Sequence, residues 1–134
     1  MLSIRLLIAA IAGGAVSSLT DWLFMGGDWL YRRYDQHPEI WRPFNRGETR
    51  AILWATALSF LSCFFFALTC ARLHLHTFAA TLLLAGAVWL VGPLAVIATN
   101  TIFLKMSPMI AASHAVGWLA KLAIAACAFV LIVG

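Results

Sequence analysis

Charge is scarce in this chain. Only 10% of its 134 residues are charged and only five are acidic, against roughly a quarter charged in an ordinary soluble domain. That scarcity excludes a soluble globular enzyme and a disordered tail, both of which rely on ionisable groups to stay in water. Cysteine is also short. Cys63, Cys70 and Cys127 are the three present, and none forms a Cys-x-x-Cys pair, which excludes a secreted disulfide scaffold. All three lie in apolar stretches, where thiols are inert, and they read as small buried residues. A Gly-rich phosphate loop, a nucleophile elbow and a His-Glu-x-x-His zinc motif are missing too.

What is there is apolar: 63% of the residues are hydrophobic and the mean hydropathy is +0.94. Four membrane spans of about 20 residues would use nearly the whole length. The expected fold is all-α. It is a single transmembrane domain, an integral membrane four-helix bundle with spans near 4–25, 51–71, 77–100 and 109–132, and an interfacial amphipathic helix or loop over 26–50.

The first span begins like a signal peptide, with Arg5 before an apolar run and a passable cleavage site at Ala15-Val16-Ser17. The run continues through Leu19 and Trp22 to Phe24, so a retained helix is expected. Ala9, Gly13 and Ser17 recur every four residues, as do Ala10, Gly14 and Ser18. Such ridges let helix backbones approach closely in lipid, and Gly13, Gly14, Ser17 and Ser18 are the expected packing positions.

Next comes the polar segment. Asp21-Trp22-Leu23-Phe24 is echoed seven residues later by Asp28-Trp29-Leu30-Tyr31, with Gly26-Gly27 between the copies as a possible break. Trp29, Tyr31, Tyr34 and Trp41 have the apolar body and polar tip of membrane-interface residues. Arg32, Arg33, Arg42, Arg46 and Arg50 concentrate positive charge in the same loop. The net charge of +4 therefore points to a bilayer with anionic headgroups as partner, not to nucleic acid. Basic residues near the span ends place this first loop in the cytoplasm by the positive-inside rule, with both termini outside.

Short connections follow at Arg72–His76 and Lys105–Pro108, so the last three helices are expected to pack side by side. Gly92-Pro93 predicts a bend in the third span. His74 and His76 have no third ligand near them in sequence, and His114 is the one histidine clearly inside a span. Neither a metal nor another cofactor is expected.

Lys121 lies near the centre of the fourth span. A charge at mid-bilayer costs at least about 2.5–3.5 kcal/mol on insertion scales, so it needs a partner or a hydrated cleft. His114, Trp118 and Lys121 share one helical face. Asp21, Asn100 and His114 end or begin three spans on the same side of the membrane. The expectation is an intramembrane polar cluster of Asp21, Asn100, His114 and Lys121. It serves either as a structural network or as a proton or ion relay.

Gly13-Gly14, then Trp22-Leu23-Phe24 and the tryptophan-rich loop, then Asn100-Thr101 and His114-x-x-Gly117-Trp118 resemble a group of small four-helix bacterial membrane proteins known as a domain of unknown function. The resemblance covers most of the chain. It implies a bacterial inner-membrane location and four helices, and it supplies no activity and no catalytic residues. The small multidrug exporters are of similar size, but their mid-membrane glutamate in the first helix has no counterpart here.

Two functions are then in view. The first is a non-enzymatic membrane protein that works by association, as an accessory subunit of a larger complex or as a homo-oligomer. The second is a small proton-coupled transporter or carrier built on the Asp/His/Lys cluster. An enzyme acting on a lipid rests only on the arginine and aromatic loop.

Overall fold

In hydrocarbon an apolar segment has no water to satisfy its backbone, and a helix pairs its N–H and C=O groups within one stretch of chain. A computed structural model describes residues 3–25 and 48–134. The expected interfacial residues Trp29, Tyr31, Arg32, Arg33, Tyr34, Trp41, Arg42 and Arg46 lie outside the described residues.

The elements are α1 (Ile4–Met25), α2 (Glu48–Arg72), α3 (Phe78–Trp89), a π-helical turn (Leu90–Leu94), α4 (Ala95–Phe103) and α5 (Pro108–Ile132). The run from α3 to α4 is the continuous third span, Phe78–Phe103. Four helices are long and apolar enough to cross a membrane, and no strand occurs among the described residues. The chain is an all-α, multi-pass membrane protein. Arg50, expected in the loop, lies instead in the first turn of α2, exposed.

Local chemistry sets the helix ends. The Thr77 side chain accepts from the Ala80 N–H at 3.3 Å and starts α3. Pro108 stands in the first turn of α5, where its missing N–H costs nothing. At the end of α2 the Leu75 N–H reaches back to the Cys70 carbonyl, 3.0 Å, and the His74 N–H to that of Ala71, 3.3 Å. This closure needs a left-handed residue, and His74 supplies it with φ 55°.

The expected bend at Gly92-Pro93 takes the form of the π-helical turn. Proline cannot donate the helical hydrogen bond and its ring crowds the preceding turn. One widened turn absorbs both defects, and helical conformation resumes at Ala95.

α5 is the hub. It shares its most extensive interface with α1, and it also carries the third span and α2. α1 in turn packs along α2. The expectation that the last three helices lie side by side is corrected here. No substantial interface joins α2 to the third span, because α5 occupies the space that the short turn at 73–77 suggested they would share. The first helix, despite its long connection, is the more extensive neighbour of both α2 and α5.

Small residues explain that preference. A Cβ built on Gly13 would meet Ala128 Cβ at 3.4 Å, Ala125 Cα at 3.6 Å and Cys63 Cβ at 3.7 Å, so Gly13 faces α5 and α2 together. One on Gly14 would stand 2.9 Å from Phe60 Cε1, because the Phe60 ring lies directly on the Gly14 backbone. Ser17 is fully buried, and half-buried Ser18 bonds its own Gly14 carbonyl at 2.8 Å. The α1 ridge is therefore used within the bundle.

The interior divides along the membrane axis. Toward the start of α1 it is apolar, with Leu6, Cys63, Phe66, Cys70, Leu122 and Phe129 in one cluster. Toward the end of α1 it turns polar, and the ionisable groups of α1 and α5 meet there.

Candidate functional site

Lys121 projects from the middle of α5, and its side chain leans toward the helix N-terminus, as helical side chains do. Its Nζ lies 4.2 Å from the centroid of the Trp118 ring, one turn back. From that position it reaches Asp21 Oδ2 on α1 at 2.8 Å and donates to Ser59 Oγ on α2 at 3.0 Å. The Ser59 hydroxyl donates to the same Asp21 Oδ2. Three helices thus meet in one closed ring of lysine, serine and aspartate.

The lysine side chain is 5% exposed and the aspartate 15%. Each ammonium direction has an acceptor or a π face: carboxylate, hydroxyl and indole. The charge is neutralised where it stands, and the site is sealed around Lys121. Asp21 is served unevenly. Oδ2 takes both bonds, while Oδ1 is buried and has no hydrogen-bond partner among the described residues.

Ser59 has one proton and two acceptors in reach. The Ala55 carbonyl lies 3.1 Å away, the usual partner of a helical serine. The bond to a carboxylate is charge-assisted and the stronger of the two. Flanking bonds hold the three helices at this level. Ser113 Oγ donates to the Phe24 carbonyl at 2.5 Å, tying α5 to the last turn of α1. Ser17 Oγ and Cys63 Sγ are 3.5 Å apart between α1 and α2. Trp89 Nε1 donates to the Ala115 carbonyl at 2.7 Å, fixing the third span to α5 just before the π-helical turn.

Of the four residues expected in the cluster, Asp21 and Lys121 are in direct contact. His114 is half-buried on α5, two turns before Lys121 and next to the Ser113 bond to α1. Asn100 is half-buried on α4 and its backbone carbonyl accepts from Leu104 at 2.7 Å. No hydrogen bond joins its side chain to Asp21, Ser59 or Lys121 among the described residues. Ser59 is the member that the sequence did not reveal. The described residues hold no group of three or more His, Cys, Asp or Glu arranged to bind a metal.

No family model, no curated protein and no solved structure matches the chain.

Proposed function

We propose that this protein works by association: as an accessory subunit of a larger complex in a bacterial inner membrane, or as a homo-oligomer there. The observation that carries the reading is the third span. Its one substantial interface among the described helices is with α5, and only 11% of its apolar window is buried, against 39% for α5. Leu83 is 77% exposed and Val91 78%. A Cβ on Gly86 or Gly92 would meet nothing within 4 Å. The span is thus docked on one side and smooth on another, which suits close approach by a neighbouring helix. The sealed Lys121 supports the same reading, since its charge is met inside the bundle.

The test is purification from the native membrane in mild detergent, with cysteine introduced at Leu83 or Val91 for crosslinking. Copurification of a stoichiometric membrane protein, or intermolecular crosslinks at these positions, is the expected result. A strictly monomeric particle without partner or crosslink overturns the proposal. The first loop faces the cytoplasm in this reading, which a reporter inserted at 35 reads directly.

A proton-coupled carrier using Asp21, His114 and Lys121 is the second reading. Asp21 Oδ1, buried and without a hydrogen-bond partner among the described residues, favours it, because it leaves one acceptor of the cluster open beside Lys121. Proton uptake by vesicles containing the purified chain, lost in Lys121→Leu or Asp21→Asn, would carry this reading. Vesicles that stay proton-tight in every state remove it.

A further inference from the structure

We propose that the π-helical turn at Leu90–Leu94 is a hinge, about which α4 swings against α5 while α3 stays docked. Three features meet there: a weakened backbone, a clamp just before it, and an unanchored helix just after it.

The backbone of the third span is weakest at this turn. Pro93 has no N–H and gives no bond back to the preceding turn. The Ala95 N–H bonds the Gly92 carbonyl, three residues back instead of the four of an α-helix. Gly92 has no side chain to brace it, and a Cβ there would meet nothing within 4 Å. Sharp helix bends concentrate at prolines and at π-helical turns, and here the two coincide.

The two halves of the span are held differently. α3 ends on Trp89, whose indole donates to the Ala115 carbonyl of α5, and Thr81 and Ala85 are buried behind it. α4 has no buried residue, and its contact with α5 is much smaller than that of α3. α5 itself is tied to α1 by the bond from Ser113 to the Phe24 carbonyl. α4 therefore lies between two fixed points and is fixed by neither. The turn that follows it opens with Leu104 in extended conformation, and this turn flexes as α4 moves.

α4 has nine residues, a length of about 13 Å. A swing of about 20°, the size of a sharp kink, moves its far end by about 5 Å. The consequence is a face in two parts. A neighbouring helix laid along the third span meets a fixed half at α3 and an adjustable half at α4. This use of the hinge rests on the association reading, whereas the motion does not.

The test is distance measurement by pulsed electron spin resonance on the full chain in nanodiscs, with Cys63, Cys70 and Cys127 replaced by alanine. A spin label at exposed Leu19 on α1 is paired with one at exposed Leu83 on α3 or at exposed Ile102 on α4. The 19–102 distribution should be wider than the 19–83 distribution by about 5 Å. Pro93→Ala restores the missing donor and should bring the two widths together. Gly92→Ala fits its open space and should narrow the 19–102 distribution in part. Trp89→Phe removes the clamp and should widen the 19–83 distribution. Circular dichroism checks that each variant keeps its helix. Equal widths before any of these three changes overturn the hinge. So does a 19–102 width that neither Pro93→Ala nor Gly92→Ala alters. No partner is present in these measurements, so they stand apart from the crosslinks at Leu83 or Val91 that decide the association reading.

Discussion

A lysine in the middle of a membrane helix is stable only in company, and here its company comes from three directions. Removing one member of a buried pair strands the other, at a cost of about 3–5 kcal/mol, whereas replacing both with apolar residues of similar size is often neutral or stabilising. Lys121→Leu should therefore destabilise the fold by about 3–5 kcal/mol, and Lys121→Leu with Asp21→Leu should recover most of that loss. Ser59→Ala leaves the ion pair in place and should cost only about 1 kcal/mol. Reversible unfolding in mixed micelles measures all three, and a double variant no better than Lys121→Leu would show that the pair is not the source of the cost. Asp21 and Lys121 were legible in the sequence because charge is conspicuous in an apolar span. Ser59 was not. A serine in a membrane helix ordinarily bonds the carbonyl one turn back, as Ser62 does with Leu58 at 2.8 Å, and nothing in its neighbours distinguishes Ser59 as a bridge. Asn100 shows the reverse. Its depth was readable, but depth alone does not set which way a helix face turns.

At the scale of elements, periodicity and length placed four helices within a few residues of their observed bounds. Which helices touch was less legible, because short connections predict neighbours only when no third helix fits better. The small-residue ridge of α1 decides the matter, and its two glycines are not equivalent. A Cβ at Gly13 makes ordinary van der Waals contacts, the nearest at 3.4 Å. A Cβ at Gly14 overlaps the Phe60 ring. Gly14→Ala should cost about 1–3 kcal/mol as an overpacked contact, while Gly13→Ala should stay within about 1 kcal/mol. Adding Phe60→Ala to Gly14→Ala should remove the overlap, so the two changes together should cost less than their sum. Equal effects at the two glycines would place the α1–α2 contact elsewhere. The α2 terminus offers a gain instead of a loss. His74 holds a left-handed conformation that glycine adopts without strain, so His74→Gly should raise stability by about 1 kcal/mol. A lower melting temperature for His74→Gly would mean that the imidazole contributes more than its backbone strain costs.

The molecule as a whole is a tight group of three helices with a fourth leaning on it. α1, α2 and α5 supply most of the apolar cluster and the whole Lys121 ring, while the third span adds Ala85 to that cluster and is held chiefly by α5, with buried Thr81 and the Trp89 bond. Local stability follows buried contact, so a span with little of it should open first. Cysteine labelling can follow this order. In a chain whose Cys70 and Cys127 are replaced by alanine, native Cys63 is 1% exposed and reports on the three-helix group. Ala85→Cys, with Cys63 also replaced, reports on the third span from a position equally buried at 1%. As denaturing detergent rises, the thiol at 85 should react before Cys63 does. Trp89→Phe removes the indole donor to Ala115 and should weaken the third span's attachment by about 0.5–1.5 kcal/mol. It should therefore move the labelling of position 85 to lower denaturant and leave Cys63 where it was. Simultaneous labelling of both sites would mean that the four helices unfold as one unit, and the third span could then not act as a separable face. If a partner covers that span in the native membrane, its presence should delay the reaction at position 85 more than the reaction at Cys63, because binding stabilises most the element that otherwise opens most easily.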